Sequence, residues 1–361
     1  MKQKAYARAG VDIHLGNRVK GTLPRLLKAT HRREVLGKVG GFGGLFALNV
    51  RDFREPVLVS SVDGVGTKLK IAFAMNRHDT IGQDLVNHCV NDIAVLGAEP
   101  LFFLDYIGTG KLEPAIFTEI IKGFAKACAE NGCALIGGET AQMPGFYQRG
   151  EYDVSGTIVG VVERSRMIDG TSIRPGDVVI GLASTGLHTN GYSLARKIFF
   201  EQMKLKPSSK VPELENSIGE ELLSVHLSYG PMIQAALKKF NYANRGPSSR
   251  SSKTRSPGLP IKGIAHITGG GFIDNIPRVL PKTCNVIIRK GSWEMPPIFQ
   301  MIVRHGKVPE VELYQVFNMG IGMTIIVAQE NADEILRFFR SRVPSWIIGE
   351  TVAGSGKVKL V

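Results

Sequence analysis

The sequence predicts a two-domain protein of mixed α and β structure. The 361-residue length suits two domains at roughly 150 residues each. Short apolar runs alternate with longer helical periods before Gly170. Turn formers then cluster in DGTSIRPGD, Asp169 to Asp177, and a fresh apolar run follows. The expected domains are therefore 1–169 and 170–361.

Element by element, PVLVSSVD (Pro56 to Asp63) has the apolar content of a buried strand that ends in a Gly-rich turn. Ile81, Leu85, Cys89 and Ile93 recur every four residues, which makes Thr80 to Gly97 a helix with one apolar face. Leu101 to Ile107 reads as a strand, Glu113 to Asn131 as a helix, Cys133 to Gly138 as a strand and Tyr152 to Glu163 as a longer one. Past the boundary a strand starts at Val178, a helix follows Asn190, and helices are expected from Glu213 to Phe240. A strand at Ile261 to Ile267, a helix after Gly271 and strands near Val286, Ile321 and Trp346 complete the pattern. No repeat of 20 to 50 residues suggests a solenoid.

Composition narrows the function classes. No apolar run reaches the roughly 18 residues of a bilayer span, and the start has no apolar core of a secretion signal, so a soluble cytoplasmic protein without a membrane partner is expected. Cys89, Cys128, Cys133 and Cys284 lack CxxC spacing and read as reduced, mostly buried thiols. The net charge is +13, of which four units fall in NRGPSSRSSKTRSPGLP, Asn244 to Pro260. That segment has no acid and no aromatic residue, so it reads as a mobile surface loop rather than a stacking platform for nucleic acid. Nucleic acid is accordingly not an expected partner.

The sequence contains no GxxxxGK[ST], HExxH or GxSxG. It offers instead five glycine-rich loops, most of them beside acids: VGGFGG (Val39 to Gly44), DGVGTK (Asp63 to Lys68), GGET (Gly137 to Thr140), STGLHTNGYS (Ser184 to Ser193) and TGGG (Thr268 to Gly271). Glycine lets backbone N–H groups close on a phosphate. Mg²⁺ takes carboxylate and phosphate oxygens, and Asp63, Asp92 and Glu139 are the candidate ligands, each at a different strand or helix end. Asp84 and Asn91, seven apart on one helix, share a face and rank second with Asp105. Lys68 follows a glycine turn and could meet a phosphate, and His188 in its polar loop suits a ligand contact or proton transfer. The other histidines show no metal-binding spacing.

Together, AGVD (Ala9 to Asp12), GGFGG, SVDGVGTKLK, RHDTIGQDLVNHCVNDIAVLGAEPLFFLDY (Arg77 to Tyr106), GGETAQMPGFY, STGLHTNGYSL and AHITGGGFIDNIPRVLP (Ala265 to Pro281) resemble the phosphoribosylformylglycinamidine cyclo-ligase, or AIR synthetase, family over nearly the whole chain and in the family's order. The resemblance implies an N-terminal α+β domain that forms a homodimer, a C-terminal α/β domain, and an active site in the cleft between them. It implies ATP and Mg²⁺, with formylglycinamidine ribonucleotide as the small-molecule substrate. By the same resemblance Asp63, Gly64, Gly66, Thr67, Lys68, Asp92, Gly137, Gly138 and Glu139 belong to the metal–nucleotide site. Gly41, Gly43, His188, Asn190, Thr268, Gly269 and Gly270 would lie around substrate and phosphates. The basic segment at 244–260 is longer than the family usually carries. A selenophosphate synthetase would be expected to carry a reactive Cys in the N-terminal glycine loop, and GGFGG has none.

Overall fold

A computed structural model describes residues 5–38, 40–243 and 259–361. The basic segment therefore lies outside the described residues except for Leu259 and Pro260. Strands β1 (Pro56–Gly64), β2 (Glu99–Thr109), β3 (Ala134–Gln142) and β4 (Tyr152–Glu163) form one sheet in the order β1-β4-β2-β3, antiparallel except for β2 beside β3. Period-two patterning in β4 buries Tyr152, Val154 and Ile158 on the face covered by helices Ile81–Ala94 and Pro114–Glu130. Those two helices meet at glycines. A Cβ on Gly82 would lie 2.3 Å from the Ile120 carbonyl oxygen, so only Gly permits the crossing. The opposite face of the sheet leaves Leu58 and Val62 exposed.

The second sheet takes β5 (Val178–Ala183), β6 (Ile261–His266), β7 (Cys284–Ile288), β8 (Ile321–Val327), β9 (Ser345–Ala353) and β10 (Val358–Leu360) in the order β10-β7-β9-β5-β8-β6. Its pairs are antiparallel apart from β10 with β7. β8 is buried along its whole length, as its largely apolar run IGMTIIV favours, and the one hydroxyl in it, Thr324, donates to the Ala265 carbonyl. The apolar stripe of helix Ala332–Arg340 buries Ile335, Leu336 and Phe339.

The predicted strands and the two long helices appear within a few residues of their expected limits. The stretch from Glu213 to Phe240 departs from expectation. Helices Ile218–Leu222 and Gly230–Ala236 are separated by a segment without regular secondary structure at 224–229. Side chains of helix Ile81–Ala94 meet that segment's backbone. Asp84 accepts from the His226 amide, Asn87 donates to its carbonyl, and Asn91 donates to Leu227 and accepts from Tyr229. These bonds satisfy polar groups that a helix would otherwise pair internally. All four cysteines are free and buried. No described helix is long and apolar enough to cross a membrane.

Candidate active site

A cleft of about 530 Å³ opens between the two sheets, a size typical of small-molecule sites. The end of β1 brings Asp63 to it, helix Ile81–Ala94 brings His88 and Asp92 one turn apart, and β6 brings His266. His88 Nε2 lies 2.9 Å from Asp63 Oδ2 and 3.7 Å from Asp92 Oδ2, while His266 Nδ1 lies 2.8 Å from Asp92 Oδ1. Ser61 Oγ donates to Asp92 Oδ2 at 2.9 Å, and the Gly64 amide donates to Asp63 Oδ1 at 2.7 Å.

These contacts set the charges. Burial works against both carboxylates, but the His88 contact at Asp63 and the His266 contact at Asp92 outweigh it and hold both pKa values below the ordinary range. Burial also opposes a charge on His88, yet Asp63 and Asp92 raise its pKa above the usual imidazole value. At His266 burial wins over Asp92, and the pKa falls.

Behind the cleft, His226 is fully buried. Its Nε2 is 3.0 Å from His266 Nε2 and 3.2 Å from Asn91 Nδ2, and its Nδ1 is 3.4 Å from Thr189 Oγ1. Thr189 Oγ1 is also 2.6 Å from His88 Nδ1. The expected absence of a histidine grouping is thus corrected, because the fold gathers His88, His188, His226 and His266 from four distant segments.

His188 is not open to the cleft as its polar loop suggested. It is 1% exposed, has φ +62°, and stacks on His226 with ring centres 4.0 Å apart. Its Nε2 accepts from the Thr185 amide, so its one lone pair is spent, and its Nδ1 is buried without a partner. Burial holds His188 and His226 well below the usual imidazole pKa.

Lys68 is likewise not a surface lysine. Its ammonium is fully buried, 2.9 and 2.8 Å from the two Asp84 oxygens, and donates to the Ser224 carbonyl at 2.7 Å. Burial pushes Lys68 down and Asp84 up, each partly restored by the other. Asp84 and Asn91 do share a helix face, and that face ties the two halves together instead of lining the cleft.

Asp63 and Asp92 both reach His88, but Glu139 does not join them within one chain. The residue row Asp63, Gly156, Asp105, Gly138 crosses the whole sheet, so β3 lies three strand spacings, about 14 Å, from β1. Glu139 follows Gly138 and therefore projects from the other face, where it sits 3.8 Å from Lys20. Asp105 packs where a Cβ on Gly138 would lie 2.3 Å from its Oδ1, and burial pushes its pKa up to about 7. Thr67 bonds Ser193 across the two halves at 3.1 Å, and Gly66 takes φ +65°. Gly41, Gly43, Gly66 and Gly137 do not line the cleft.

Asn190, Thr268 and Gly269 do line it, and Asn190 Nδ2 is buried without an acceptor. Gly270, at φ +95°, precedes helix Gly271–Asn275. Residues the sequence reading passed over are Ser61, His88, His266 and the cationic Arg278. Only the His88–Asp92 spacing, four apart on a predicted helix, carried a local signal.

The AIR synthase related protein N-terminal domain matches residues 49–162, and the corresponding C-terminal domain matches 251–361. The chain is 51% identical over 350 residues to a phosphoribosylformylglycinamidine cyclo-ligase of Syntrophotalea carbinolica, covering 97% of this chain and 95% of the relative. It is 49% identical to the enzyme of the same name from Geobacillus thermodenitrificans, covering 98% and 97%. A thiamine-monophosphate kinase from Stenotrophomonas maltophilia superposes with TM-score 0.66 at 16% identity, over 94% of this chain and 95% of that one. The hydrogenase maturation protein HypE in complex with ATP gives 0.65 at 16% identity, over 96% and 90%. At those identities the two structures share the fold.

Proposed function

This chain belongs to the phosphoribosylformylglycinamidine cyclo-ligase family, and from that premise we propose how its cleft performs the reaction. The enzyme uses ATP to cyclise formylglycinamidine ribonucleotide to 5-aminoimidazole ribonucleotide, with release of ADP and phosphate, in de novo purine biosynthesis. The observation that carries the site assignment is the convergence of Asp63 and Asp92 on one cleft with Asn190 and Arg278.

An amide oxygen is a poor leaving group. Transfer of the γ-phosphoryl of ATP to the formyl oxygen makes it one, after which the amidine nitrogen attacks the activated carbon and phosphate departs as the ring closes. Asp63 and Asp92 fit a divalent cation because both carboxylates are held ionised at one cleft wall. The cation, Mg²⁺ in the simplest case, would neutralise phosphate charge. Arg278 adds a cation to the same cleft, and the unpartnered Asn190 amide offers a donor to a substrate oxygen. His188 and Lys68 act through position: the first packs beneath the cleft, the second anchors the chain at Ser224.

We take 1–169 and 170–361 as the two domains and the protein as a cytoplasmic homodimer that covers the exposed apolar face of the first sheet. Glu139 would then act on a nucleotide only from a second copy. Given Mg²⁺, ATP and formylglycinamidine ribonucleotide, the purified protein should form one ADP and one phosphate per aminoimidazole. Asp92→Asn should fold normally and lose turnover by a factor on the order of 100. Failure to form aminoimidazole refutes the activity, and normal turnover by Asp92→Asn removes Asp92 from the site.

A further inference from the structure

We propose that Asn275 is a positioning residue of the cleft: its side-chain amide fixes the turn Thr268–Gly271 so that the backbone N–H groups of Gly269 and Gly270 stay free to donate to a phosphate oxygen of a reactant. The inference rests on the reading of the cleft as the site of the phosphorylated reactants and adds the residue that shapes one of its walls.

Thr268, Gly269, Asn275 and Arg278 all border the cleft. The Gly271 amide closes the turn by donating to the Thr268 carbonyl at 2.9 Å, and Gly270 holds the third position at φ +95° and ψ −8°. That is the type II conformation, in which the third position favours glycine. Types I and II differ by a half-rotation of the middle peptide, here the Gly269 carbonyl and the Gly270 N–H.

Asn275 decides between them. Its Nδ2 donates to the Gly269 carbonyl at 3.2 Å, to that of Thr268 at 3.3 Å and to that of Gly271 at 2.8 Å, while its Oδ1 accepts from Thr268 Oγ1 at 3.3 Å. Three carbonyls can be met only by the nitrogen end, so the amide has one orientation. The side chain is buried, which leaves no room for water to take over its bonds.

In a trans peptide the carbonyl and the following N–H point opposite ways. Binding the Thr268 and Gly269 carbonyls therefore turns the Gly269 and Gly270 amides away from Asn275, and no described residue accepts from either. Two other donors stand close by. Asn190 has its Oδ1 3.1 Å from where a Cβ on Gly269 would lie and its Nδ2 buried without an acceptor, and Arg278 follows Asn275 by one 3₁₀ turn. A phosphate dianion, which only accepts, matches such a set. Without Asn275 the middle peptide is free to turn over, which replaces the Gly270 N–H by the Gly269 carbonyl and repels the same anion.

The test compares the unaltered full chain with Asn275→Ala and with Gly270→Ala, which disfavours φ +95° at the same peptide and leaves the Asn275 side chain in place. Both variants should raise the KM of at least one phosphorylated reactant about 10-fold or more and change kcat by less than about 3-fold. A rise confined to formylglycinamidine ribonucleotide assigns the phosphate to the substrate monoester, and one confined to ATP assigns it to the nucleotide. Unchanged KM values, with a fall in kcat or in melting temperature alone, make Asn275 a purely structural residue and overturn the proposal. If the variants do not fold, glycine-labelled unaltered protein decides by nuclear magnetic resonance. The Gly269 and Gly270 amides should shift on adding ribose 5-phosphate or ATP, and no shift with either refutes the inference. The two readings fail separately. If Asp92→Asn loses turnover while neither new variant alters a KM, the role of Asn275 fails alone; if the unaltered protein forms no aminoimidazole while both amides shift with ribose 5-phosphate, the activity fails and the positioning stands.

Discussion

Replacing Lys68 by Met strands the Asp84 carboxylate where it has no exposed surface, and removes the donor to the Ser224 carbonyl. Breaking a buried ion pair from one side costs about 3–5 kcal/mol. Protonation sets a ceiling. Binding a proton at pH 7 costs Asp84 about 1.4 kcal/mol for each unit between an ordinary carboxylate pKa near 3.9 and neutrality, or about 4 kcal/mol. Lys68→Met should therefore lose about 3–4 kcal/mol. Adding Asp84→Asn removes the stranded charge but keeps an oxygen for the His226 amide, so the double variant should regain roughly 1–3 kcal/mol. Urea unfolding followed by circular dichroism measures both, and equilibrium dialysis measures ATP affinity alongside. A Lys68→Met protein with an unchanged unfolding midpoint but lost ATP binding would refute the argument and return the ammonium to a phosphate.

Three further outcomes are expected. Burial holds His188, His226 and His266 below the ordinary imidazole pKa, so below about pH 6.5 the unfolded chain binds more protons and stability falls with acid; His88, with its raised pKa, opposes this, since its contribution is lost as pH rises. His226→Gln should flatten the stability slope between pH 6.5 and 5 by up to about 1.4 kcal/mol per pH unit, and an unchanged slope in thermal melts counts against a neutral buried His226. Leu58→Lys with Val62→Glu should turn a dimer into a monomer in sedimentation if the open face of the first sheet, where both residues are more than 60% exposed, is the dimer surface. Replacing residues 244–258 by a short Gly/Ser link should shift stability by no more than about 1 kcal/mol and leave turnover intact; a folded but inactive product would give the segment a catalytic part.

The strands and long helices were legible because their signals are local: period two in Tyr152 to Glu163, and apolar residues four apart from Ile81 to Ile93. Asp63 and Asp92 were legible through glycine-rich or acidic motifs. The burial of Lys68 against Asp84 was not legible, because a glycine turn followed by a lysine looks the same in sequence whether the ammonium is exposed or paired with a carboxylate 16 residues on. The 224–229 segment was misread as helix because what holds its backbone lies on another element, about 140 residues away. The histidine group was illegible for the same reason, and Glu139 seemed to belong with Asp63 because sequence does not show that β3 and β1 are opposite edges of one sheet.

The helix Ile81–Ala94 connects these errors. Asp84, Asn87 and Asn91 grip the second half, while His88 and Asp92 form the cleft wall between the same turns. Because a helix is stiff over its 14 residues, a shift of the segment at 224–229 must move Asp92 or break bonds to Asn87 and Asn91. Losses at Lys68 should consequently reach the site through geometry. In Lys68→Met that remains folded, activity should fall together with the affinity for metal, whereas a lost phosphate contact would lower ATP affinity and leave metal binding untouched.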